Sequence, residues 1–353
     1  MKVYIVCPYT KSGGPRSLHQ LGNKLIDRNL DVYMYYGYRG KKIDAKNVLY
    51  LDSKAKIASK IEDKSENIII VPEMDTVWLN NYKNIRKVIW WLSLHFYLNN
   101  NIWWRANFWT RFLHQPVFFK YMRYAKAKIK EPHINNVNPD DLPKIDYHLY
   151  NCEYVRRYLV KHGVQSSDMS YLCGPIDIDV NDGVKISDKE NLIIYNPAKA
   201  SKYILTKILT YMKKNYPKYK FKPLQGMEHK EVLKNLNKAK VYLDLGYFPG
   251  PERMPREAAV NYCNIITSNI GAAANKVDVP IPEKFKFSLK KENVPIICKL
   301  IVDMCENYTD YTHYYNKYRE KTISQINNFD SDIDTFKNVI CSVESRRGKN
   351  ETV

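Results

Sequence analysis

The chain has 353 residues, enough for two domains that each bury a core. Hydrophobic residues make up 44% of it, which excludes an intrinsically disordered chain, and the net charge of +19 calls for an anionic partner: nucleic acid, an anionic membrane surface or a phosphorylated substrate. The seven cysteines are scattered and form no C-x-x-C pair, so neither a disulfide framework nor a metal is expected and a reducing cytosol is favoured; no apolar run reaches the roughly 18 residues of a membrane span.

Lys2 to Pro8 reads as a buried first strand rather than a signal peptide, and Ser12-Gly13-Gly14-Pro15 as a turn before a helix from Arg16 to Asn29. Adjacent glycines let another molecule approach the main chain closely, so Gly13 and Gly14 are candidate binding positions, with a plain tight turn as the alternative. The G-x-G-x-x-G fingerprint of dinucleotide sites is absent. Leu30–Tyr36, Asn67–Val71 and Lys87–Leu94 read as further strands, with a helical stretch from Ala55 to Asp63 between the first two. Such alternation predicts βαβ units and a parallel sheet. Glu73, Asp75 and His95 then fall at the carboxyl ends of strands, where open sheets form their ligand crevice. Each is a candidate catalytic base, and each has an ordinary polar residue as its alternative.

Residues 96–130 interleave rings with cations and hold no acidic residue. Trp103, Trp104, Arg105, Trp109, Arg111, Lys120 and Arg123 are the candidate membrane-contact residues, because rings favour the water–lipid boundary and basic side chains are drawn to anionic headgroups. Core packing and nucleic-acid binding are the alternatives, the last ranked lowest. A strand at Ile145–Cys152, a helix at Glu153–His162 and a strand at Ser170–Leu172 follow.

Asn191–Asn196 opens a second domain, and a lysine in its first loop, Lys199 or in reserve Lys202, is placed to neutralise a diphosphate. A helix from Tyr203 to Asn215, a strand from Phe221 to Leu224 and a helix from Gly226 to Ala239 come next; His229 reads as an exposed residue of that helix. From Val241 the chain reads strand, Gly/Pro loop, a helix opening near Pro255, strand, and a small-residue turn from Gly271 to Asn275. Proline in a first helical turn loses no hydrogen bond, which puts Glu252, Arg253 and Glu257 at or just inside a helix N-terminus. The turn offers backbone N–H groups to oxygens, with Asn275 an optional side-chain donor. Prolines 280 and 282 block helix, and helices are predicted at Val294–Asn307, Tyr311–Asn327 and Asp330–Glu344 before a polar tail from Arg346.

Pro255-Arg256-Glu257-Ala258-Ala259, preceded by the Gly/Pro loop and followed by a strand and Gly271-Ala272-Ala273, resembles the donor-binding segment of two-domain GT-B glycosyltransferases. The similarity is to bacterial enzymes related to family 4 that build capsule or O-antigen polysaccharide. It implies two Rossmann-like α/β domains facing across a cleft: an acceptor-side domain at 1–175, a linker at 176–190, a nucleotide-sugar domain at 191–328, and a terminal helix and tail at 329–353 packing back on the first domain. By resemblance Glu257 binds the donor ribose, Lys199 the diphosphate, and Gly13-Gly14 faces the donor phosphates. The family's other glutamate, eight residues earlier, is Pro249 here; Glu252 is the substitute candidate, and a retaining mechanism is not implied.

The resulting expectation is transfer of a sugar from a nucleotide-diphosphate sugar, with no cofactor, to a glycan or lipid-linked glycan. It takes place in the cytoplasm at the inner face of the membrane, with no nucleic acid as partner and no oligomeric state assigned. The alternatives are a sugar-nucleotide epimerase or hydrolase on the same fold and, last, a polyanion-binding module.

Overall fold

The computed structural model describes residues 1–131, 134–177, 184 and 186–347, with side chains described as far as 342. Residues 178–183 and 185 of the expected linker, and 348–353 of the expected tail, lie outside the described residues. Two compact units divide the chain: residues 1–105, 127–175 and 327–353 form the first, and residues 106–126 and 176–326 the second.

The main strands are β1 (Lys2–Cys7), β2 (Asp31–Tyr38), β3 (Ile68–Pro72), β4 (Arg86–Trp91), β5 (Tyr147–Tyr150), β6 (Met169–Tyr171), β7 (Glu190–Tyr195), β8 (Lys220–Pro223), β9 (Ala239–Asp244), β10 (Asn264–Ser268) and β11 (Lys286–Phe287). The helices are α1 (Gly13–Ile26), α2 (Leu94–Leu98), α3 (Ile102–Phe112), α4 (Phe118–Lys130), α5 (Glu153–Lys161), α6 (Lys202–Asn215), α7 (His229–Lys238), α8 (Arg253–Val260), α9 (Val294–Glu306), α10 (Tyr308–Thr312), α11 (Asn316–Asn327) and α12 (Phe329–Arg347).

In the first unit the strand order is β2-β1-β3-β4-β5-β6, all parallel, with Lys41–Lys42 and Lys56–Ile57 pairing against β2. In the second it is β8-β7-β9-β10-β11, again all parallel. Continuous Val/Ile runs such as Ile68–Val71 are fully enclosed, as strands covered on both faces must be. Each sheet has a point where the strand order reverses, between β1 and β3 and between β7 and β9. Crevices outside the carboxyl ends at such points are where open α/β sheets bind ligands.

Helix α12 belongs to the first unit. Phe329, Ile333, Phe336 and Ile340, spaced on one helical face, join the core under β1 and β5, while Arg28, just past the end of α1, pairs with Asp330 and Asp334 at its rim. The apolar face dominates, at about 1.5–3 kcal/mol for each buried side chain against at most about 1 kcal/mol for an exposed ion pair.

Three local expectations are corrected. Helix α1 begins at Gly13, not Arg16, so Gly13 and Gly14 are its first turn rather than a loop. Pro15 permits this, since the N–H it lacks would be unpaired there. Residues 55–63 form no helix: Ala58 N–H donates to Met34 O at 2.8 Å, and the segment lines the outer edge of β2. So short a helix has little stability of its own, and an unpaired strand edge competes for its backbone. Strand β4 stops at Trp91, which leaves His95 in the first turn of α2 rather than at a strand end.

Candidate functional site

The reversal point of the second sheet carries the densest charge. Lys199 lies in the loop after β7 and Glu252 immediately precedes α8 beyond β9, and their side chains form an ion pair. Burial works against the Lys199 ammonium, but the adjacent Glu252 carboxylate outweighs it and holds the lysine above its ordinary value. The two loops pack back to back: a Cβ on Gly246 would meet Lys199 O and Asp244 Oδ1 at 3.0 Å each. Lys202, the first residue of α6, is exposed.

Helix α8 opens at Arg253 with Pro255 inside its first turn, which places Glu257 one turn in, on the enclosed side. Its Oε1 lies 3.0 Å from His229 Nε2 and 3.6 Å from Arg253 Nη2, so a buried carboxylate is held between two nitrogen groups. Arg253 also reaches Asp177 at 2.7 Å. His229, read from the sequence as a plain exposed residue, is exposed yet engaged: the start of α7 brings it onto Glu257. Arg256 of the same helix turns into the scaffold, toward Gln325 Oε1 at 3.3 Å.

Asp244, at the end of β9, was not singled out from the sequence. It accepts from Tyr242 Oη at 2.8 Å and Gly246 N at 3.2 Å, and burial raises its carboxyl to about 6 despite these donors. The signal is an acid closing the run Val241-Tyr242-Leu243. A three-dimensional neighbourhood was needed to interpret it.

Gly271 has φ 69° and ψ −135°, and a Cβ there would lie 2.0 Å from Phe248 O. Only glycine fits, because the Gly271 strand-like bridge to Phe248 brings two backbones together and Ala272 N–H donates to Phe248 O at 2.8 Å. The turn's amides at Ala272, Ala274 and Asn275 all bond to backbone carbonyls nearby. Asn275 is likewise engaged locally: its Nδ2 donates to Asp278 Oδ2 at 2.8 Å and its Oδ1 accepts from Val277 N and Asp278 N. An Asx-type turn thus engages both ends of the side chain, one N–H of the amide being given to Asp278.

At the reversal point of the first sheet the charges are enclosed. Glu73 and Asp75 are 1% and 0% exposed, in the 3-10 stretch Glu73–Asn81 that follows β3. Glu73 Oε2 accepts from Leu92 N at 2.8 Å, and burial, partly offset by backbone N–H groups, pushes its carboxyl up to about 8. Asp75 oxygens have no partner at hydrogen-bond distance; burial raises this carboxyl to about 6, and the N–H groups of Arg39 and Gly40 offset that only from farther away. His95 is buried, with Nε2 3.3 Å from Tyr154 Oη and its ring against Trp104. At Gly14 a Cβ would meet only Leu92 Cδ1, at 3.7 Å, an ordinary contact.

The basic aromatic stretch takes in the end of α2 and all of α3 and α4. Arg105 pairs with Glu131 at 2.6 Å, Arg123 donates to Gln115 Oε1 at 2.6 Å, and Lys120 sits 4.8 Å from the Tyr121 ring centre. Trp103 and Arg111 are exposed. Trp109, with Phe108 and Phe112, surrounds Tyr247 at 5.4–5.5 Å in edge-on geometry. Tyr247 belongs to the loop that leads from β9 to Glu252, so the end of α3 braces the site from one side. Among the described residues no helix is long and apolar enough to cross a membrane, and no cluster of three or more His, Cys, Asp or Glu is placed to hold a metal.

No protein-family model matches the chain, and no curated protein matches it in sequence. Solved structures do. The chain is similar to the sucrose-phosphate synthase of Thermosynechococcus elongatus, at 10% identity and TM-score 0.59, covering 98% of this chain and 99% of that one. It is similar to HepE of Anabaena in complex with UDP, at 9% identity and TM-score 0.56 over 97% and 100% of the two chains. It is also similar to WaaB, a lipopolysaccharide outer core galactosyltransferase, at 11% identity and TM-score 0.54 over 97% and 99%. The fold is thereby that of the GT-B glycosyltransferases, two Rossmann-like domains.

Proposed function

We propose that this protein is a glycosyltransferase that moves a sugar from a nucleotide-diphosphate sugar to a glycan acceptor. The observation that carries the reading is the Lys199–Glu252 ion pair at the β7/β9 reversal point, beside the enclosed Glu257. In this reading residues 191–328 hold the donor and 1–175 the acceptor. Glu257 takes the ribose hydroxyls, and an incoming diphosphate replaces Glu252 as the partner of Lys199, with Arg253 at the mouth of the site. Charge develops on the departing phosphate during transfer, and a cation fixed in advance stabilises that transition state. Gly271 holds the small-residue turn beside the Tyr247 loop.

In this reading Glu73 and Asp75 shape the carboxyl end of β3 and His95 packs in the first turn of α2, all three being enclosed. The same enclosure gives an epimerase or hydrolase no accessible acid–base pair at those positions. The similarity to HepE, seen with UDP, makes UDP the first nucleotide to test. WaaB, a lipopolysaccharide outer core galactosyltransferase, makes bacterial surface polysaccharide the first pathway class to test; the family 4-related capsule or O-antigen type and a lipid-linked acceptor at the cytoplasmic face of the membrane enter this reading from the sequence resemblance alone.

A thermal-shift series with UDP, GDP, CMP and dTDP on the wild type and Glu257→Ala tests the site. Ligand at a hundredfold excess over its Kd adds about 2.7 kcal/mol, a shift of several degrees. One diphosphate should raise the melting temperature, and the variant should lose that response. A wild type that folds normally and answers to no nucleotide would sink the reading.

A further inference from the structure

Helix α4 has an apolar stripe that the protein leaves uncovered. Phe118, Tyr121, Met122, Ala125 and Ile129 fall within an arc of about 100° on a helix of 3.6 residues per turn, and every one of them is exposed. Met122 is 56% exposed and Ile129 83%, whereas Ala127, on the opposite side, is buried. Val117, just before the helix, is 66% exposed and lengthens the patch. At the same helical spacing Lys126 and Lys128 stand on the two edges of the stripe, both exposed, and exposed Lys130 follows. Lys120 and Arg123 complete the basic set, and the helix has no acidic residue.

We infer that this face of α4 lies in the headgroup region of an anionic lipid bilayer, with Phe118, Met122 and Ile129 inserted and Lys126, Lys128 and Lys130 against the headgroups. The inference deepens the membrane-peripheral part of the proposed function and moves the contact from the tryptophans of α3 to α4. Charge complementarity selects the occupant. A second copy of this face would set one row of cations against another without a single carboxylate between them. Nucleic acid would use the cations but has nothing to offer Met122 and Ile129, which stack on no base. A bilayer uses both, because aliphatic side chains gain by leaving water and ammonium groups gain beside phosphate. The helix is about 20 Å long, so it lies in the interface and does not cross it.

The test is co-sedimentation of the full chain with vesicles of phosphatidylcholine alone and of phosphatidylcholine mixed with phosphatidylglycerol. Binding should require the anionic lipid and fall with salt. Met122→Asp combined with Ile129→Asp should weaken it by roughly tenfold or more, and Lys126→Gln, Lys128→Gln and Lys130→Gln together by roughly a hundredfold. All five positions are exposed, so the variants should melt like the wild type and keep its nucleotide-induced shift, which separates this test from that of the donor site. Equal binding to both vesicle types, no binding to either, or variants that bind as well as the wild type would each overturn the inference. A concentration-dependent dimer abolished by the Asp pair, or salt-sensitive binding to a DNA oligonucleotide without vesicle binding, would assign the face to another partner and overturn it equally.

Discussion

The two sheets end in opposite ways. At the carboxyl ends of the first, two carboxyl groups are enclosed and held neutral-leaning by burial, and a glycine pair starts a regular helix in which a Cβ at Gly14 would meet only an ordinary contact. At those of the second, opposite charges meet in pairs and a glycine sits where no other residue fits. The same topology therefore yields, among the described residues, an enclosed rim without ion pairs at Glu73 and Asp75 in one unit and a rim of paired charges in the other. A buried carboxyl without a cation is most stable protonated, whereas a paired cation keeps its charge for an incoming phosphate.

The glycines offer the sharpest way to break the comparison. Gly271→Ala should cost roughly 3 kcal/mol or more, through a strained φ and a backbone clash, and appear as loss of soluble folded protein or a much lower melting temperature. Gly14→Ala should stay within about 1 kcal/mol, because its helical φ suits alanine. Equal effects would remove the distinction between the two rims. Next in size is Lys199→Ala. Loss of a charge-assisted bond should weaken nucleotide-diphosphate binding roughly 10- to 100-fold in calorimetry, since such bonds contribute about 1.5–3 kcal/mol.

Glu73→Gln probes the neutral rim. Its folded-state value of about 8 exceeds the ordinary 4.5, so the folded protein binds the extra proton between those values and the group's contribution is greatest below 4.5. Wild-type stability should therefore fall as pH rises from about 4.5 to 8, by at most about 1.4 kcal/mol per unit from this group, and level off above. Denaturant titrations across that range should show the glutamine variant without this component. Smallest is Asp177→Asn: its pair with Arg253 is partly exposed, and the melting temperature should change by the equivalent of less than about 1 kcal/mol.

Much of this was legible in the chain itself. Apolar runs such as Ile68–Val71 and Val241–Leu243 announce strands because burial on both faces demands them, and Pro255 announces the start of α8 because proline loses nothing in a first turn. Glu252 and Glu257 could be placed at a helix start and Lys199 in the loop after a strand from the sequence, while their donor-binding roles came from the resemblance to GT-B glycosyltransferases. Tertiary structure alone decided which of them meet. The distances of Lys199 from Glu252 and of His229 from Glu257 in the sequence are closed by sheet order, which local periodicity does not encode. It also decided that Glu73 and Asp75 face inward, that residues 55–63 serve a strand edge instead of forming a helix, and that Trp109 braces Tyr247. An aromatic, basic segment carries the same composition whether its rings face a core, a loop or a bilayer; only the packing of its neighbours determines which face of α4 is left to solvent.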